Sequence, residues 1–170
     1  SGIYVITYNV GDGAGNNAVQ KMRTVTVADS VAPVITRLGA AAVTVECGQP
    51  YADAGATAAD VCEGNLTAQI VTVNPVNTTI PGNYTVTYNV TDGSGNAAAQ
   101  RTRTVTVADT TAPVITLLGD ALVTIECGSQ YADAGATAVD VCDGSLTGSI
   151  ITSGAVDSSV PGIYTISYNV

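Results

Sequence analysis

Few side chains in this sequence can do chemistry: four cysteines at 47, 62, 127 and 142, 14 acidic residues against five basic ones, and no histidine. Without imidazole there is no Ser-His-Asp triad and no His-ligated zinc or haem. A net charge of -9 leaves too few cations to displace counterions from a phosphate backbone. Nucleic acid and anionic membrane surfaces are therefore excluded as partners, and no apolar run approaches the roughly 18 residues of a membrane span. What remains is thiol oxidation, ligation of a cation by oxygen, and acid–base work by paired carboxylates.

The carboxylates fall into recurring groups. Asp53, Asp60 and Glu63 recur as Asp133, Asp140 and Asp143, and Asp29 recurs as Asp109. Calcium at Asp29, Asp53, Asp60, Asp109, Asp133 and Asp140 would offset the self-repulsion of the acidic chain and stiffen the places where one repeat passes into the next. The other reading is that these acids cap turns and keep the surface soluble. Asp92-Gly-Ser-Gly-Asn96 begins like a calcium loop, but Arg103 stands where a bidentate Glu would be needed, so it reads as a Gly-rich turn between two strands. Its copy is Asp12-Gly-Ala-Gly-Asn16. A glycosidase pair needs a cleft with acids about 5–9 Å apart, which a sandwich of small residues does not offer. No enzyme is expected, and no cofactor is required.

These groups are positioned by an internal repeat of 80 residues. Pro81-Gly-Asn-Tyr-Thr-Val-Thr-Tyr-Asn-Val90 returns as Pro161-Gly-Ile-Tyr-Thr-Ile-Ser-Tyr-Asn-Val170, and a near copy occupies 1–10. Cys47 and Cys62 return as Cys127 and Cys142, and the copies diverge most at 71–80 against 151–160. The expected domains are 1–29, the last two strands of a preceding repeat; 30–109, a complete repeat; and 110–170, a repeat lacking its last strand. Either the chain is a window on a longer array, or the open end is completed by a strand from another copy.

Each repeat reads as all-β. Tyr84, Val86, Tyr88 and Val90 alternate with Thr85, Thr87 and Asn89, the mark of a half-buried strand. By the same alternation Tyr4, Tyr8, Tyr84, Tyr88, Tyr164 and Tyr168 point to the core, with a hydroxyl bonded to backbone at a corner. About seven short strands separated by turns predict a small antiparallel sandwich. A core with no Phe or Trp needs a staple. Pairing of Cys47 with Cys62 and of Cys127 with Cys142 is the simplest connectivity, each closing a 15-residue loop that contributes roughly 3 kcal/mol. A metal site of two thiols without His or C-x-x-C spacing is the weaker alternative. Disulfides place the chain in an oxidising, extracellular compartment.

The runs Ala-Pro-Val-Ile-Thr-Leu-Leu-Gly-Asp, Val-Thr-Ile-Glu-Cys-Gly, Tyr-Ala-Asp-Ala-Gly-Ala-Thr-Ala and Pro-Gly-Ile-Tyr-Thr resemble the bacterial immunoglobulin-like domain known from pesticidal crystal proteins, a relative of hyalin repeats. The resemblance covers essentially the whole chain. It implies tandem immunoglobulin-like β-sandwiches in large secreted or surface-anchored proteins, serving as spacers, stalks or binding accessories, and it implies no activity. Many members lack the cysteine pair, so the disulfides rest on spacing and recurrence. The short, Pro-containing segment Val107–Pro113 predicts a semi-rigid join between repeats. The expected function is a structural repeat of an extracellular filament or adhesin stalk, with other copies or repeats as partners. The alternatives are a module binding cell-surface glycan through 71–80 and 151–160, and a subunit polymerising by strand complementation.

Overall fold

The computed structural model describes residues 2–170, and its regular structure is β-strand apart from two 3-10 turns, Thr67–Gln69 and Thr147–Ser149. Among the described residues no helix is long and apolar enough to cross a membrane. Alternation of Thr with Val, Ile and Tyr drives strand formation, since β-branched and aromatic side chains fit a pleated, half-buried surface. The central repeat holds β3 (Val34–Arg37), β4 (Ala42–Glu46), β5 (Ala56–Asp60), β6 (Gly64–Asn65), β7 (Val71–Val73), β8 (Gly82–Asn89) and β9 (Arg101–Ala108). Before it lie β1 (Gly2–Tyr8) and β2 (Lys21–Val27). After it come β10 (Val114–Leu117), β11 (Ala136–Asp140), β12 (Gly144–Ser145), β13 (Ile151–Ser153) and β14 (Ser167–Asn169).

The central strands form two sheets, β3-β5-β6 and β4-β9-β8-β7, and each buries apolar side chains, Ile35 and Ala58 in the first and Val86, Tyr88, Val105 and Val107 in the second. The sandwich is not wholly antiparallel. β4 runs parallel to β9, from Ala42 opposite Thr104 to Glu46 opposite Ala108. A parallel pair requires a long crossover, which the whole body of the repeat supplies. Left-handed Gly64 and Gly144, at φ 75° and 73°, close the turns between β5 and β6 and between β11 and β12.

Packing divides the chain into two compact units, one of 1–41, 53–74 and 86–103, the other of 42–52, 75–85 and 104–170. The first carries the β1–β2 hairpin, which is exposed on both faces. Tyr4 and Tyr8 are 60% and 49% exposed, against the expectation that they face a core, because β1 and β2 pair with each other and no second sheet covers them among the described residues. Tyr88, the copy of Tyr8, is fully buried as expected. Tyr84 and Tyr164 donate their hydroxyls to the carbonyls of Ile80 and Val160 at 2.9 and 3.0 Å, the corner bond that the sequence suggests. In the second unit, residues 122–126 are the copy of β4 but form no strand. β4 is held in register by β9, and 122–126 have no such neighbour among the described residues.

Candidate junction site

The disulfide departs from the expected pairing. Cys47 is bonded to Cys142, 95 residues away and in the next repeat, with Cα atoms 5.7 Å apart; Cys62 and Cys127 are exposed thiols. The reason lies in where the two cysteine positions sit. Cys47 follows β4 and donates its N–H to Ala108 at the end of β9, so it lies where its repeat ends. Cys62 lies in the turn after β5 beside Asp29, where its repeat begins, and Cys142 is the copy of Cys62. A Cys47-type thiol therefore meets the Cys62-type thiol of the following repeat, not its own. On the loop-entropy estimate a loop of this length contributes about 4.7 kcal/mol. Desolvation, then the charge and hydrogen bond of Asp29, raise the pKa of the Cys62 thiol.

Glu46 secures the same join, and sequence reasoning missed it. Its carboxylate accepts hydrogen bonds from the Thr110 N–H at 2.8 Å, the Thr110 hydroxyl at 2.7 Å and the Thr111 hydroxyl at 2.9 Å. These donors, the Thr110 N–H foremost, hold its pKa below the usual carboxylate range. The available signal was an acid placed directly before Cys47 and again, as Glu126, before Cys127.

The six acids singled out for calcium separate. Asp29 and Asp60 come together with Cys62, and Asp109 and Asp140 come together with Asp143; in each set one ligand atom per residue lies within 4.8 Å of the others. Asp53 and Asp133 belong elsewhere. Asp53 is ion-paired to the buried Arg103 and accepts the Tyr88 hydroxyl at 2.7 Å. Arg103 also donates to the carbonyls of Leu38 and Ala40. Asp133 accepts the Tyr168 hydroxyl at 2.6 Å, which pushes the Tyr168 pKa up to about 12 and lowers that of Asp133. Among the described residues neither carboxylate belongs to a group of three possible metal ligands. The Asp92 loop is a turn: Oδ1 accepts from the N–H groups of Ser94 and Asn96 and Oδ2 from the Asn96 amide, at 3.0, 2.7 and 2.9 Å. Burial acts to raise the Asp92 pKa, but these donors outweigh it and the pKa is lowered. Asp12 repeats the arrangement with Ala14 and Asn16.

The second unit also contains an open groove of about 730 Å³. It is lined by Leu122 and Ile125 from the copy of β4, by Tyr164, Ile166 and Tyr168 from the copy of β8, and by Asp133. In the central repeat β9 occupies the place between β4 and β8.

Residues 35–107 and 115–170 match the bacterial surface protein Ig-like domain family in two tandem copies. Among solved structures, the chain is similar to the lipoprotein BT2262 from Bacteroides thetaiotaomicron at 31% identity and a TM-score of 0.42, over 47% of this chain and 39% of that one. A structure of the CBM51-2 domain in complex with GlcNAc and INT domains from Clostridium perfringens ZmpB is similar at 23% identity and a TM-score of 0.37, over 51% of this chain and 20% of that one. The chain thus spans less than half the length of either. No curated protein matches it.

Proposed function

The chain belongs to the bacterial surface protein Ig-like domain family, and from that premise we propose that it is a non-catalytic structural repeat of an extracellular filament or adhesin stalk, of the kind related to domains of pesticidal crystal proteins. The observation that carries the reading is the Cys47–Cys142 bridge, which joins one repeat to the next rather than stapling a repeat to itself. A cross-link placed there resists bending and separation at the join, where a stalk under load is weakest. Glu46 acts in the same place by tying down Thr110 and Thr111. Proteolysis without reduction, followed by mass spectrometry, tests the reading. A peptide pair linking Cys47 to Cys142 is expected; pairs linking Cys47 to Cys62 and Cys127 to Cys142 would remove its main support.

The groove beside Asp133 favours a second mode of association, strand complementation between copies. The segment Lys21-Met-Arg-Thr-Val-Thr-Val27 is the copy of β9, is exposed along its length, and carries Arg23 where β9 carries Arg103. Seated in the groove of a second copy, it would bring a guanidinium to Asp133 as Arg103 meets Asp53.

A further inference from the structure

We infer that Asp109, Asp140 and Asp143 form a calcium site where one repeat passes into the next, a ligand site that neither the disulfide nor the stalk reading requires. Asp140 is only 5% exposed. Its Oδ1 accepts from the N–H groups of Cys142 and Asp143 at 2.6 and 2.9 Å, while its Oδ2 is buried and has no hydrogen-bond partner among the described residues. A buried carboxylate oxygen without a donor is a standing cost, and in a native fold such an atom is met by water or an ion. The other two acids are placed to share an ion with it. One oxygen from each of the three lies within 4.8 Å of the others, and two oxygens on a common calcium at about 2.3–2.6 Å are at most roughly 5 Å apart.

The preceding repeat carries the same feature independently. Asp60, 8% exposed, accepts from Cys62 and Glu63 through Oδ1 and leaves a buried Oδ2 without a partner, and Asp29 also holds a buried Oδ2 without one. That set is less complete. Glu63, the copy of Asp143, turns to the Gly93 N–H at 2.8 Å, and the Cys62 thiol stands with the two aspartates instead. The all-oxygen set is therefore the one at Asp109.

The chemistry selects the ion. Three carboxylates and no imidazole make a hard site, suited to calcium rather than to zinc or copper. Asp109 and Asp143 are exposed, so water has access to complete the six to eight ligands that calcium takes. The position gives the site its effect. Asp109 ends one repeat and holds the Thr111 N–H at 3.3 Å, whereas Asp140 and Asp143 flank Cys142 in the turn of the next. An ion there ties the two sides together beside the disulfide.

Calorimetric titration of the intact chain with calcium chloride at physiological ionic strength tests the site, with tyrosine-sensitised terbium luminescence as a second readout. Saturable binding with a Kd of roughly 0.1–1 mM is expected, the range of extracellular calcium modules. Asp140→Asn should abolish it, and Asp109→Asn and Asp143→Asn should each weaken it tenfold or more. Because Asp140 also organises its turn, the two exposed positions decide if that variant fails to fold. The site is refuted by absence of saturable binding at about 10 mM calcium, well above that range. It is equally refuted if the Asp109 and Asp143 variants bind like the parent, or if an equal concentration of magnesium displaces the ion. The disulfide map is unaffected by any of these outcomes, so failure here is distinct from failure of the stalk reading.

Discussion

Arg103 is 2% exposed in the middle of a strand of valines and threonines, and a guanidinium can be held there only because each direction it points in has an acceptor. Asp53 supplies the charge, Leu38 and Ala40 supply carbonyls, and the Tyr88 hydroxyl satisfies the carboxylate from the other side. Removing one member of a buried pair leaves the other uncompensated, a loss of about 3–5 kcal/mol. Asp53→Asn should therefore lower the unfolding free energy by about that much in urea titration. Arg103→Met together with Asp53→Asn should cost less than the single change, since neither group is then left charged and alone. A double variant less stable than Asp53→Asn would show that the pair is not what holds the node. The alternation of β9 made this legible in retrospect: Arg103 shares its face with Val105 and Val107, and an arginine on an inward face demands a carboxylate.

At the scale of elements, the strands of the central repeat could be read from period-2 alternation and turn residues, and the alternation places Val86 and Tyr88 of β8, and Val90 just beyond it, in the buried interior where the structure has them. What alternation cannot carry is which strand lies beside which. The parallel pairing of β4 with β9 depends on partners 62 residues apart (Ala42 to Thr104), and the disulfide on partners 95 apart. A repeat makes two cysteine pairs look alike whether each closes on itself or on its neighbour, so recurrence could not choose between them. The acids were legible as a set but not as a partition, because Asp53 and Asp60 differ only in what β9 and the turn after β5 bring to them. The groove carries this logic further. A synthetic peptide of residues 100–109 should bind the chain and raise its thermal midpoint, because it offers Val105 and Val107 to the apolar walls and Arg103 to Asp133. The same peptide with Arg103→Ala should bind at least tenfold more weakly. Equal binding by both peptides would mean that Asp133 does not select the strand.

For the whole molecule, the two free thiols follow from the same periodicity that produced the bridge. Cys127 is the copy of Cys47, and Cys62 is the copy of Cys142, so each exposed thiol is one half of the bridge already formed between 47 and 142. A repeat before this one would offer the partner of Cys62, and a repeat after it the partner of Cys127. Copies of the chain are therefore expected to make the same bond with each other, Cys127 of one to Cys62 of the next. Two thiols then lose two protons and two electrons to a small-molecule disulfide oxidant, which leaves as two thiols. The raised pKa of Cys62 keeps its thiolate scarce at neutral pH, so the exchange should quicken as pH rises. Incubation of concentrated chain with oxidised glutathione should give a ladder of multimers on a non-reducing gel, collapsing on reduction. Cys62→Ser or Cys127→Ser alone should remove every rung, the dimer included, because the thiol that remains lacks its counterpart. A dimer that persists in both single variants would show that the bonds form at random, like thiol to like. Its absence in the parent at every pH would show that the ends do not present the two thiols to each other as 47 and 142 are presented.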